Sequence, residues 1–263
     1  MLHVRTRKRR WASVLTLREK HGQECPGYDN KNMLKRLLDI LVSGTILLIL
    51  SPLLLLIIAI LKLTGEREAF YFQERIGFQG NKFKVTKFAT MLKNAPNMGT
   101  KDITLRNDPR VLPVGKFLRK TKLNEVPQFW DVLVGKMSLV GWRPLMPQGF
   151  AEYAPQIQQE IVKVKPGLSG MGSLVFRDEE AIISKAEAEG RDLRGCYRED
   201  IMPYKGALEV WYVAHRGLWT DIKIMIATAV AVLRPGWTGY ARWFSELPEP
   251  QSPIIREYLR LEA

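Results

Sequence analysis

The run ILVSGTILLILSPLLLLIIAIL, Ile40 to Leu61, holds 22 residues without a charge. As a straight helix it would reach about 33 Å, enough to span the hydrocarbon core of a bilayer. A single transmembrane crossing is the direct reading. Two features count against it. Ser51-Pro52 falls at the midpoint, where proline removes a backbone donor and bends a helix, and the neighbouring serine can re-satisfy the freed carbonyl. The flanks are also alike in charge, with Lys31, Lys35 and Arg36 before the run and Lys62, Arg67 and Arg75 after it. Positive residues mark the cytosolic side, so a single crossing has no preferred direction. A helix that enters, breaks at Ser51-Pro52 and leaves through the same leaflet keeps both basic flanks in the cytosol.

Net charge is +13, much of it placed early, at Arg5, Arg7, Lys8, Arg9 and Arg10. Such a surplus favours phosphate-rich partners: nucleic acid, anionic headgroups or nucleotide diphosphates. Beside a membrane run, an anionic lipid surface is the expected contact. No nucleic-acid module is present, so a nucleic-acid partner is not expected. Cys25 and Cys196 lack metal-ligand spacing and are too few for a disulfide framework, which points to a reducing compartment. The residues ahead of Ile40 contain no apolar core segment, so no signal peptide is expected.

Beyond Gly65 strand-like and helix-like segments alternate. REAFYFQERIGFQGNKFKVTKFATM places aromatic and β-branched residues around Gly77 and Gly80, the pattern of a hairpin. Asn107-Asp108-Pro109-Arg110 and Lys165-Pro166-Gly167-Leu168-Ser169-Gly170 are turns. AIISKAEAEGRDL and YKGALEVWYVAHR are helical by spacing. Trp219 to Trp237 suits either a core helix or one lying on a membrane surface. Pro248 to Ala263 reads as a proline-rich loop before a short amphipathic IIREYLRL. The fold class is therefore mixed α/β, without strands enough for a doubly wound sheet. Neither GxGxxG nor GxxxxGK[ST] occurs, so a Rossmann or P-loop site is not expected. His3, His21 and His215 form no metal constellation.

The stretch RKTKLNEVPQFWDVLVGKMSLVG, residues 119–141, admits two readings. Val126, Phe129, Trp130, Leu133 and Val134 share a helical face, so a helix should start near residue 124 or 125, with Asn124 as N-cap and Glu125 in the first turn. The same helix end could seat a diphosphate, with Arg119, Lys120 and Lys122 before it and Lys136 and Arg143 after it. A carboxylate there could hold Mg²⁺ against phosphate oxygens. An adjacent aspartate could attack phosphorus and carry the group covalently.

The chain resembles the bacterial sugar transferases, the monotopic phosphoglycosyl transferases, in motifs that run in order over roughly residues 33–230. KRLLDI precedes the Ser-Pro-broken helix, and FQERIGFQGNKFKVTKFATM is similar to the family's Q-E-R-x-G…F-x-x-x-K-F-R-T-M. DPRVLPVGKFLRKTKLNEVPQFWDVLVGKMSLVGWRP, KPGLSG and YKGALEVWYVAHRGLWTDIKI match the later motifs. The resemblance implies transfer of a sugar-1-phosphate from a UDP-sugar to undecaprenyl phosphate, with release of UMP and a need for Mg²⁺. Such a step initiates exopolysaccharide, O-antigen or glycoconjugate synthesis. It also implies a basic segment over 1–32, a re-entrant membrane helix over 33–64, a cytosolic transferase domain over 65–235 and a tail over 236–263. Interfacial amphipathic helices and an inner-membrane location go with it, and a homo-oligomer is compatible. Carried over by position, Asn124 and Glu125 form the catalytic pair, and Glu125 is the metal-binding member. Lys87, Arg143, Arg75 and Arg119 bind substrate, and Asp39 forms a structural ion pair with Lys35 or Arg36. The sequence departs from the pattern at three places: Asn124 replaces the nucleophilic aspartate, Ala89 an arginine and Trp142 a proline. An amide is a poor nucleophile towards phosphorus. Either another group does the chemistry here, or the chain is a membrane scaffold that has lost turnover.

Overall fold

The computed structural model describes residues 30–98, 108–234, 236–244 and 246–259. The basic cluster Arg5 to Arg10, Cys25 and Asn107 lie outside the described residues.

Helix α1, Asn30–Leu63, carries the uncharged run and continues through Pro52. Pro52 cannot donate to the Leu48 carbonyl four residues back. Ser51 Oγ donates to it instead at 2.8 Å, so the helix stays hydrogen-bonded where the sequence raised the expectation of a break. Leu48, 76% exposed, and its neighbours Ile49, Leu55 and Leu56 face away from the protein. Both ends of α1 bear on the body. At the second, Ile57 and Leu61 are buried against Ala69, Phe88 and Leu118.

Strands β1 (Phe70–Ile76) and β2 (Lys82–Phe88) form the expected antiparallel hairpin, with Gln73 opposite Val85 and Tyr71 opposite Lys87. The alternating pleat places Gln73, Arg75, Val85 and Lys87 on one face. Helix α2 (Pro113–Lys120) leads into a 3₁₀ turn, Leu123–Glu125, and then α3 (Gln128–Leu133). Strand β3 (Ser138–Val140) is followed by α4 (Pro147–Ala151) and α5 (Pro155–Ile161) and pairs in parallel with β4 (Gly167–Ser169). This crossing is tight: a Cβ on Gly167 would lie 2.0 Å from the Gly141 amide nitrogen, so only glycine permits it. Helices α6 (Met171–Val175), α7 (Glu179–Ala188), α8 (Met202–His215), α9 (Leu218–Leu233) and α10 (Pro253–Tyr258) follow, with short helical segments at Leu193–Cys196 and Tyr197–Ile201 leading into α8. Among the described residues the strands make two two-stranded sheets, consistent with the sparse strand pattern.

The core gathers around α8, whose Leu208 and Tyr212 pack with Met137, Met171 and Ile224. A second cluster centres on Trp142, fully buried with Leu145, Tyr153, Ile157 and Ile161, its indole N–H donating to the Val164 carbonyl at 2.9 Å. That bond satisfies the indole's donor, so a tryptophan is accommodated where the family pattern has proline.

The first turns of α1 are tied in by polar contacts. Lys35 Nζ meets Asp221 Oδ2 at 2.5 Å and the Val140 carbonyl at 3.1 Å. Arg36 donates to the Val132 and Leu133 carbonyls, both at 2.7 Å, completing the C-terminus of α3 with a cation. Asp39, expected to pair with Lys35 or Arg36, instead accepts from the Leu139 amide at 3.0 Å and Ser138 Oγ at 3.2 Å. Those donors lie on β3, so Asp39 joins α1 to the sheet rather than to its own helix.

Two helices turn apolar residues outward. On α3 the buried side chains are Gln128, Asp131 and Val132, while Trp130, 55% exposed, and nearby Val134 face out. Asp131 faces in because its carboxylate accepts from the Thr86 amide at 2.7 Å and from Thr86 Oγ1 at 3.2 Å. On α9, Asp221, Ile224, Ala227 and Ala231 are buried, and Trp219, Ile226 and Leu233 are exposed.

Candidate active site

The Asp131–Thr86 contact brings β2 against the start of α3, and with it Lys87 against Glu125. Lys87 Nζ donates to Glu125 Oε1 at 3.2 Å, and Arg143 donates to the same oxygen at 3.2 Å. Arg143 follows β3, and its backbone amide donates to Glu209 Oε1 on α8 at 3.2 Å. Arg75, on the same pleat face as Lys87, donates to the Pro144 carbonyl at 3.1 Å and is held by Gln73 Oε1. Arg75, Lys87, Glu125, Gln128, Arg143 and Gly167 thus line one small cleft.

Lys122, just before the turn that carries Glu125, has φ 59°, the left-handed region that side chains other than glycine seldom adopt. The sequence reading of this stretch as a helix end is corrected here. Leu123–Glu125 is a separate 3₁₀ turn, α3 starts only at Gln128, and Asn124 makes no capping bond. The six-residue α3 is too short to supply a helix-end anion site, so the positive field at Glu125 comes from side chains. Asn124 is buried, and its Oδ1 has no hydrogen-bond partner among the described residues. Gln128 Nε2 is likewise buried without one.

The electrostatics follow from three cations around one carboxylate. Burial alone would raise the Glu125 pKa, but Arg143 and Lys87, with Lys122 behind them, hold it well below the usual carboxylate range. Burial brings Lys87 down to about 8, against the opposing pull of Glu125. Arg75 falls to about 10, first through burial and then through Arg143, whereas Glu125 raises Arg143. Glu125 therefore stays ionised, and the cleft keeps a net positive charge suited to a polyanion.

Of the residues carried over as catalytic or substrate-binding, Glu125, Lys87, Arg143 and Arg75 line this cleft, and Asn124 stands beside Glu125 in the 3₁₀ turn. Arg119 does neither. It pairs instead with Glu180 on α7 at 2.7 Å. Ala89 is buried beyond the strand that carries Lys87. Sequence reasoning missed Gln73, Gln128 and Glu209. Glu209 gave a signal, a charged residue inside the apolar run ALEVWYV.

As for a divalent cation, no three His, Cys, Asp or Glu side chains converge among the described residues. Glu125 lines the cleft as a hard oxygen donor, and Asn124, next to it in the 3₁₀ turn, keeps a buried Oδ1 unpartnered among the described residues. Magnesium is commonly held by one or two carboxylates with substrate phosphates and water, so the residues present fit it.

Residues 30–235 match the family described as bacterial sugar transferase. The chain is 36% identical over 197 residues to the UDP-glucose:undecaprenyl-phosphate glucose-1-phosphate transferase of Klebsiella pneumoniae, covering 74% of this chain and 39% of that protein. It is 32% identical over 220 residues to the undecaprenyl-phosphate galactose phosphotransferase of Salmonella typhimurium, covering 78% of this chain and 41% of that one. The exopolysaccharide production protein ExoY of Rhizobium meliloti is 30% identical over 214 residues, covering 76% of this chain and 85% of ExoY. The chain thus spans about two fifths of the length of the first two relatives. The family match and the shared identity over three quarters of the chain agree: it belongs to the bacterial sugar transferase family.

Proposed function

We propose that this protein transfers a sugar-1-phosphate from a UDP-sugar to undecaprenyl phosphate at the cytosolic face of a bacterial inner membrane, releasing UMP. The observation that carries this reading is the cationic cleft of Arg75, Lys87 and Arg143 around Glu125. The names of the relatives agree with it.

The reaction conserves a diphosphate linkage, so catalysis is mainly positioning and charge neutralisation. Arg75, Lys87 and Arg143 bind the UDP-sugar diphosphate, and Glu125 holds Lys87 and Arg143 in register. Glu125 and Asn124 Oδ1 would hold Mg²⁺, which when bound supplies further neutralisation of the diphosphate. With an amide at 124 and Glu125 clamped by two cations, the nucleophile is an oxygen of the acceptor phosphate. It bonds to the sugar-bearing phosphorus as the bond from that phosphorus to the bridging oxygen breaks, and UMP leaves with the electron pair. No proton has to move.

Membrane attachment is through α1, which we read as re-entrant, bending at Pro52 to leave by the leaflet it entered while Ser51 keeps the Leu48 carbonyl bonded. Support comes from buried Asp39 and Ser43 near one end and Ile57 and Leu61 near the other, with the residues around Ser51-Pro52 exposed between them. Outward Trp130 and Trp219 support α3 and α9 as interfacial helices.

The test is incubation of the purified protein with undecaprenyl phosphate and a panel of radiolabelled UDP-sugars. Lipid-linked sugar phosphate together with UMP is the expected result, and neither with any sugar refutes it. Labelling cysteines placed on either flank of α1 tests the hairpin, and reaction from opposite faces of the bilayer refutes it.

A further inference from the structure

Gln128, the first residue of α3, lines the cleft around Glu125 and is only 5% exposed. Its Nε2 is buried, with no hydrogen-bond partner among the described residues. An amide donor buried without an acceptor destabilises a fold, and an apolar side chain of similar shape would not. Packing alone therefore gives no reason for a glutamine at this position.

The backbone that carries it is held along the whole of α3. Almost one turn on, the Asp131 carboxylate accepts the Thr86 amide of β2 at 2.7 Å, and Arg36 donates to the Val132 and Leu133 carbonyls at the far end. Gln128 is thus fixed in the wall that also contains Val85 and Lys87 of β2. The cleft has room for about 10 Å³, close to one water-sized group. A phosphate oxygen fits such a recess, whereas a sugar ring or a uracil does not. Arg75, Lys87 and Arg143 supply its charge, and Gln128 adds a neutral donor. Three cations attract a diphosphate but orient it loosely, while an amide N–H must point at its acceptor.

We propose that Gln128 is a substrate-binding residue whose Nε2 donates to an oxygen of the UDP-sugar diphosphate. The proposal rests on the transfer reading above for the identity of that ligand. The amide is left unsatisfied in the empty protein and becomes satisfied when the diphosphate enters. Stability is given up in one state so that the donor stands ready in the other, on a backbone that does not have to move.

The test uses the full chain in phosphatidylcholine nanodiscs with Mg²⁺ in the buffer. Binding of UDP and of inorganic pyrophosphate is measured by titration calorimetry, and thermal unfolding is followed without ligand. Gln128→Met keeps the length of the side chain and removes the donor. Its unfolding midpoint without ligand should equal or exceed that of the wild type. Its Kd for both ligands should rise by about tenfold or more, the usual loss for a hydrogen bond to a charged acceptor. A lower midpoint means that the amide already serves the fold, and overturns the proposal. An unchanged Kd for UDP also overturns it. Weaker UDP binding with unchanged pyrophosphate binding assigns the amide to the nucleoside and overturns the diphosphate contact. If the wild type binds neither ligand, the cleft is no diphosphate site and the proposal falls. If both bind but no UDP-sugar is turned over, the transfer reading alone falls, and the Kd values still decide Gln128.

Discussion

Glu209 offers a test that needs no substrate. It is 0% exposed, with Oε1 accepting the Arg143 amide and Oε2 without a partner among the described residues. Burial pushes its pKa from 4.5 up to about 7, despite the Arg143 amide and Lys205 pulling the other way. Between those two values the folded protein holds a proton that the unfolded chain has released. Stability must therefore fall as pH rises from about 4.5 to about 7 and then level off. A difference of about 2.5 units corresponds to about 3 kcal/mol. Glu209→Gln keeps an acceptor for Arg143 and cannot ionise, so it should lose this dependence. Thermal unfolding in nanodiscs at pH 5 and pH 8 reads the effect. Wild type should lose roughly 6–12 °C more of its midpoint than the variant over that interval, at about 2–4 °C per kcal/mol for a domain of this size. Parallel pH dependence in the two proteins refutes the reasoning.

At the cleft, Glu125→Gln removes the countercharge of Lys87 and Arg143 and should lower kcat roughly 10²–10³-fold; near-wild-type turnover places the chemistry elsewhere. Lys87, at about 8, loses its charge as pH passes through that value, so kcat/KM for the UDP-sugar should decline there. Lys87→Arg should move the decline upward by more than a unit or abolish it, because arginine stays charged, and an unmoved limb excludes Lys87. Asn124→Asp should give no gain in turnover, since an added carboxylate repels the diphosphate. A rise of about tenfold or more, about 1.4 kcal/mol of barrier, would mean that the native chain lacks its nucleophile.

Those residues were legible to different degrees, for physical reasons. The hairpin was plain because aromatic and β-branched residues flank Gly77 and Gly80, and turn and strand signals are local. The clamp on Glu125 joins residues 38 and 18 positions away, and it was reached through motif resemblance rather than periodicity. Asn124 looked like a cap because cap propensity is local, yet the chain closes a 3₁₀ turn there. Tertiary contact decided the facing of α3: the bond from Asp131 to Thr86 turns its polar side inward, the reverse of the apolar stripe. Arg119 was misplaced for the same kind of reason, since its partner Glu180 lies 61 residues on. The partners of Asp39 and the buried position of Glu209 also depend on pairings of distant segments, and no local pattern encodes them.

The most direct measurement is UMP release by the purified wild type with UDP-sugar alone and then with undecaprenyl phosphate added. Direct transfer between two bound phosphates predicts no UMP until the acceptor is present, and then one UMP for each lipid-linked product. A stoichiometric burst of UMP without acceptor, with a matching gain in protein mass, contradicts it and places the sugar phosphate on the protein.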